Sequence, residues 1–155
     1  MDNTSLVPLT LSRYNLMNTI EKSAELAGRV LLAAIFLVSG FGKITGYAGT
    51  QAYMQSAGVP GALLPLVIAL EVLGAIAIII GYRTRIVALL LAGFAIVAGV
   101  IFHSGAEQMQ QIMLLKNLAV AGGLLVLFAR GAGAWSLDAR TAGRTAPGEL
   151  LRSRT

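Results

Sequence analysis

At 155 residues, 56% hydrophobic and 12% charged, with a mean hydropathy of +0.76, the chain lies outside the range of soluble domains, where about a quarter of residues are charged. It has no cysteine and one histidine, which excludes disulfides, CxxC thiol redox chemistry, cysteine-held zinc or iron–sulfur clusters, covalent c-type haem and a bis-histidine haem within one chain. The net charge of +5 sits on short connections and the C-terminal tail, so it reads as topogenic charge and not as a nucleic-acid footprint.

In chain order, residues 1–23 are polar and mixed, with Pro8 and no long apolar run. They predict a disordered start that becomes an amphipathic helix from about Asn15 and stays outside the bilayer on the cytoplasmic side. A cleaved secretory signal is not expected, because no small-x-small site follows the apolar run and Gly40–Gly46 reads as a helix exit. The first span covers residues 24–42. Its fully apolar part, Val30–Gly42, is too short to cross about 30 Å at about 1.5 Å per residue, so Glu25 and Arg29 are expected at the interface as a helical ion pair. A loop with Tyr47, Gln51, Tyr53, Gln55 and Pro60 follows, its tyrosines suited to an interfacial belt.

The second span, residues 62–81, is apolar except for Glu71 near its middle. An ionisable group at that depth costs roughly 3 kcal/mol on insertion scales and normally faces the bundle interior or a wet cavity. Its neighbours at three and four residues include Gly74 and Ala75, too small to cover it, so this face should press against another helix. A basic turn, Tyr82-Arg83-Thr84-Arg85, leads to the third span, residues 86–102, which ends at His103. The fourth span, residues 112–129, is interrupted early by Lys116 and Asn117. After Arg130, GAGAWSLDAR reads as a short ordered turn with Trp135 at the interface, and residues 141–155 as a disordered cytoplasmic tail.

The predicted fold is therefore all-α, a four-helix transmembrane bundle occupying residues 24–140, preceded by a short amphipathic segment. Arg13, Lys22, Arg29, Arg83, Arg85, Arg130, Arg140, Arg144, Arg152 and Arg154 fall on one side, and only Lys43 and Lys116 on the other. The positive-inside rule then puts both termini in the cytoplasm. With four spans, Lys43, His103 and Lys116 share the outer ends. Glu71 lies nine residues from Ala62, about 14 Å below that end. The expected site is a polar cavity floored by Glu71 and rimmed by Lys43, His103, Gln111, Lys116 and Asn117. It could bind a polar or anionic head group, or pass a proton between His103 and Glu71, the two catalytic candidates. Each residue also has a plainer reading: a buried hydrogen bond for Glu71, snorkelling anchors for the lysines, an interfacial histidine and an interhelical amide.

The ordered set GRVLLAAIFLVSGFGKITG, GVP, LEVLGAIAIIIGYRTR, a span ending in FH, LLKNLAVAGGLL and GAGAWSLDAR resembles the DoxX family of small bacterial inner-membrane proteins, over about Gly28–Arg140. The resemblance implies a four-helix bundle in the plasma membrane and a name tied to quinone-linked sulfur oxidation and membrane oxidoreductase complexes. It makes Lys43, Glu71, His103, Lys116, Asn117, Ser136 and Asp138 the recurrent polar positions. Three functions stay open: a redox-associated accessory subunit binding a quinone and needing a redox protein partner, a binding or transport module for a small amphipathic molecule, and a structural assembly protein. Whether the chain is an enzyme is left open. No intrinsic cofactor, metal or nucleic-acid partner is expected; the lipid bilayer is.

Overall fold

The computed structural model describes the backbone of residues 6–145 and the side chains of residues 17–142. Six helices follow one another: α1 (Leu6–Thr45), α2 (Tyr47–Ser56), α3 (Leu64–Ile80, entered through a 3-10 turn at Gly61–Leu63), α4 (Thr84–His103), α5 (Gln108–Arg130) and α6 (Leu137–Thr145). Among the described residues four segments are long and apolar enough to cross a bilayer: Met17–Thr45, Gly61–Ile80, Thr84–His103 and Gln108–Arg130. These contain three of the expected spans and extend them by a few residues; the second, expected over residues 62–81, ends one residue earlier, because Gly81 is the left-handed cap of α3.

The expected separation between an amphipathic start and a first span is not present as a break. α1 runs unbroken for 40 residues, about 60 Å at 1.5 Å per residue and so about twice the hydrocarbon thickness. Pro8 falls in its first turn, where a missing N–H costs nothing. Two further elements replace expected irregular structure. The loop after α1 coils into α2, and the closing turn continues as α6 through Thr145. Residues 6–14 and 141–145, expected to be disordered, are helical, and the expected disorder of residues 1–5 and 146–155 lies outside the described residues.

The helices pair unequally. α1 packs along α3 and α4 along α5, while α3 with α4 and α1 with α5 touch over shorter stretches. Gly40 allows the first pairing, since a Cβ there would lie 2.6 Å from Val72 Cγ2 and 3.4 Å from Glu71 Cβ. The core is built from Ala33, Phe36, Ala75, Ile78, Leu91 and Leu124 with further alanines of α4 and α5. Most of it lies toward the end where the chain enters α1 and leaves α5, while Phe36 and Ala95 reach the other half. Toward the opposite end, beneath α2, the spans leave a cavity between them, although α4 and α5 still meet where Asn117 packs on Gly99.

At the packed end, Gly81 ends α3 at φ +71°, with Tyr82 N donating to Ala77 O at 2.9 Å, a helix stop that suits glycine. The turn that follows holds Arg83 at φ +44°. Asp138 of α6 supports it: its two carboxylate oxygens accept from Arg83 N at 2.8 Å and Thr84 N at 2.9 Å, capping α4 from another part of the chain. Asp138 N returns a bond to Gly81 O at 2.9 Å.

Candidate functional site

Ser39 and Lys43 stand four residues apart on α1, hence on one face, and that face meets α3 at Glu71. Lys43 Nζ lies 2.9 Å from both carboxylate oxygens of Glu71 and donates to Ser39 Oγ at 2.6 Å. Ser39 in turn donates to Glu71 Oε1 at 3.1 Å. The carboxylate is 3% exposed, whereas the lysine side chain retains 23%. A buried acid at bilayer depth thus has a cation and a hydroxyl as partners, which answers the desolvation cost that made Glu71 conspicuous.

This cluster borders a cavity of about 430 Å³. Its walls are mostly apolar, with Phe36 of α1, Val67 of α3, Phe94 and Ile101 of α4 and Val120 of α5. Its polar lining includes Glu71, Lys43, His103, Lys116 and Asn117, five of the six expected pocket residues. Gln111 is not among them. It is exposed and its amide donates to Ala106 O at 3.2 Å. Adjacent helical residues point about 100° apart, and it is Gln110 that turns inward. His103 Nδ1 lies 2.9 Å from Gln110 Oε1, an arrangement in which the ring nitrogen donates and Nε2 is left free. Among the described residues His103 makes no direct contact with Glu71, so a proton passing between them would need an intervening carrier.

The cavity is roofed and partly open. Thr50, Tyr53 and Met54 of α2 line it from above; Tyr53 stacks on Phe102 at a centroid distance of 5.3 Å, and its hydroxyl donates to Phe102 O at 3.5 Å. Toward the side, Val97 and Ile101 line the cavity and are still 56% and 42% exposed. These two residues belong to the apolar span α4, so the cavity opens laterally at bilayer depth. Sequence reasoning missed Ser39, Gln110 and the α2 roof. Ser39 was recoverable from its spacing to Lys43; the roof was not, because its contacts join segments about fifty residues apart in a loop without periodicity.

Ser136 and Asp138, the remaining expected polar positions, lie at the other end. Ser136 Oγ donates to Gly133 O at 2.7 Å and accepts from Ala139 N at 3.1 Å, capping α6. Burial raises the pKa of the Asp138 carboxyl, but hydrogen bonds from Thr84 and Arg83 and the Arg29 charge outweigh it and hold the group below the ordinary aspartate range. These two residues brace the fold and are not part of the cavity.

The DoxX family model matches residues 24–104, which include Ser39, Lys43, Glu71 and His103. The chain belongs to the DoxX family. Over 123 residues it is 48% identical to inner membrane protein YqjF of Escherichia coli (strain K12), covering 79% of this chain and 95% of the relative. It is 37% identical over 123 residues to inner membrane protein YphA of the same strain, covering 74% and 88%. A more distant relative is the Bacillus subtilis (strain 168) protein named "Putative oxidoreductase CatD", 34% identical over 76 residues, 49% of this chain and 57% of that one. No solved structure matches. With four apolar helices of bilayer length, this DoxX-family chain is a multi-pass inner-membrane protein whose outer surface contacts lipid.

Proposed function

We propose that this DoxX-family protein binds a quinone or quinol in the cavity beside Glu71, as the membrane accessory subunit of a redox system, with both termini in the cytoplasm. One observation carries the reading: an apolar cavity of about 430 Å³ ends on a Lys43–Ser39–Glu71 cluster whose carboxylate is buried. The donor set fits such a ligand. Lys43 can donate to a ring carbonyl, Glu71 can accept from a quinol hydroxyl, and Phe36 and Phe94 suit the faces of a flat ring. When bound, a quinone supplies two-electron, two-proton chemistry, with electrons drawn from a partner redox protein. The chain's own part is to orient the ring, keep bulk water from it and hold a proton at Glu71 or Lys43. The name of the Bacillus relative agrees with a redox setting.

The lateral opening at Val97 and Ile101 favours a second reading, a binding or transport module in which an amphipathic molecule enters from the bilayer and no bond is broken. Both readings need the same occupancy. Protein reconstituted in ubiquinone-doped nanodiscs should retain quinone through washing, and Glu71→Gln should lose about tenfold or more of it per folded protein, with thermal stability followed in parallel because the change also breaks the Lys43 pair. Equal retention by wild type and Glu71→Leu would overturn the site. For orientation, cysteines placed at Ser56 and Ser153 in this cysteine-free chain should label from the periplasmic and cytoplasmic sides respectively; the reverse pattern would invert the assignment.

A further inference from the structure

The charges lining the cavity do not cancel. Lys43 and Glu71 neutralise each other at 2.9 Å. Lys116 also lines the cavity, and among the described residues neither its side chain nor that of Asn117 makes a hydrogen bond or ion pair. The nearest carboxylate along its own helix, Glu107, precedes it by nine residues, about 14 Å along the axis, and does not line the cavity. Among the described residues no other acid faces the space: its titratable lining consists of Lys43, Glu71, His103, Lys116 and Tyr53. Lys116 stands at the rim, exposed and eight residues into α5, about 12 Å below the helix start, where a lone ammonium calls for a counter-charge or water. Asn117 is pressed to α4 at Gly99, where a Cβ would lie 3.0 Å from Asn117 Cβ, so α5 is held close and Lys116 is kept beside the opening.

We infer that the cavity selects amphipathic molecules whose head group is an anionic oxygen, a carboxylate or an ionised hydroxyl on a ring, and that Lys116 is the residue that selects it. The inference rests on the cavity being a ligand site and adds the charge of the ligand. It gives Lys116 a role distinct from a snorkelling anchor, which would be indifferent to what occupies the cavity.

The test compares 2-hydroxy-1,4-naphthoquinone, ionised at neutral pH, with its neutral 2-methoxy ether, both titrated against full-length protein in nanodiscs of zwitterionic lipid. The expected result is about tenfold or greater preference for the anion. Lys116→Gln should reduce that preference to near unity, and Lys116→Arg should keep it. Thermal stability of each variant shows whether the fold survives; if Lys116→Gln does not fold, loss of the preference in high salt with wild-type protein stands in its place. Equal binding of the two probes, or a preference that Lys116→Gln leaves intact, overturns anion selection while leaving the quinone site standing. If neither probe binds and ubiquinone is not retained either, the site itself fails and the inference with it.

Discussion

At the scale of single residues, the buried charges decide the design. Glu71 reads in the sequence as an acid in need of a partner, and Lys43 with Ser39 meets that need within 3.1 Å. Arg29 reads differently in sequence and in space. The four-residue spacing to Glu25 suggests a helical ion pair at the membrane interface, yet Arg29 is 1% exposed and its Nη2 donates to Trp135 O. Its partner comes from 106 residues downstream, a distance over which local spacing carries no signal. The Lys43–Glu71 pair yields a sharp expectation. Lys43→Met should cost about 3–5 kcal/mol, because it leaves a buried carboxylate with only a hydroxyl. The double variant Lys43→Met/Glu71→Met should recover most of that loss, since an apolar replacement of a whole buried pair is often neutral. Chemical unfolding in detergent measures both, and a single variant as stable as the double would mean the carboxylate has other support.

At the scale of elements, α6 is a nine-residue clamp on the α3–α4 turn. Asp138 satisfies two backbone donors 54 and 55 residues away and holds Arg83 in its left-handed conformation. Asn offers one acceptor oxygen where Asp offers two, so Asp138→Asn should cost about 1–2 kcal/mol at neutral pH. The sign of its pH dependence follows from the depressed pKa. A carboxyl held below the ordinary value of about 3.9 contributes stability above that value, and the contribution disappears as pH falls through the folded-state pKa. The gap between wild type and Asp138→Asn should therefore be constant from neutral pH down to about pH 5 and close below about pH 4, as read from melting temperatures. Gly81→Ala should be worse than a simple change of φ, which alone costs about 1–2 kcal/mol, because a Cβ there would enter the space of Arg29 Nη1 and Ser136. The four spans were legible because apolar runs of bilayer length have few alternatives. α2 and α6 were not, being ten and nine residues long and held by tertiary contacts rather than by their own periodicity.

At the scale of the whole molecule, the bundle is solid at one end and hollow at the other. Alanines 33, 75, 88 and 92 bring the helices close in the solid half, where lipid offers no hydrophobic drive and close van der Waals contact must hold the assembly. The sequence shows these small residues, along with the polar positions that mark the hollow half, but it does not show that the two sets occupy opposite ends, since only the antiparallel path of the chain separates them. That division makes the same substitution act in opposite ways. Ala92→Leu, in the solid half at 1% exposure, has no room for three extra carbons and should lose about 1–3 kcal/mol. Ala98→Leu, only six residues further along α4, faces the cavity and should leave stability unchanged or slightly raised by filling empty space. Ligand retention should invert the order: the Ala98 variant should lose it through occlusion, while the Ala92 variant, where still folded, should keep it. If the two changes destabilise equally, the outer half closes in the membrane and the cavity is not a standing feature of the fold; if Ala98→Leu folds and still binds, the ligand lies elsewhere.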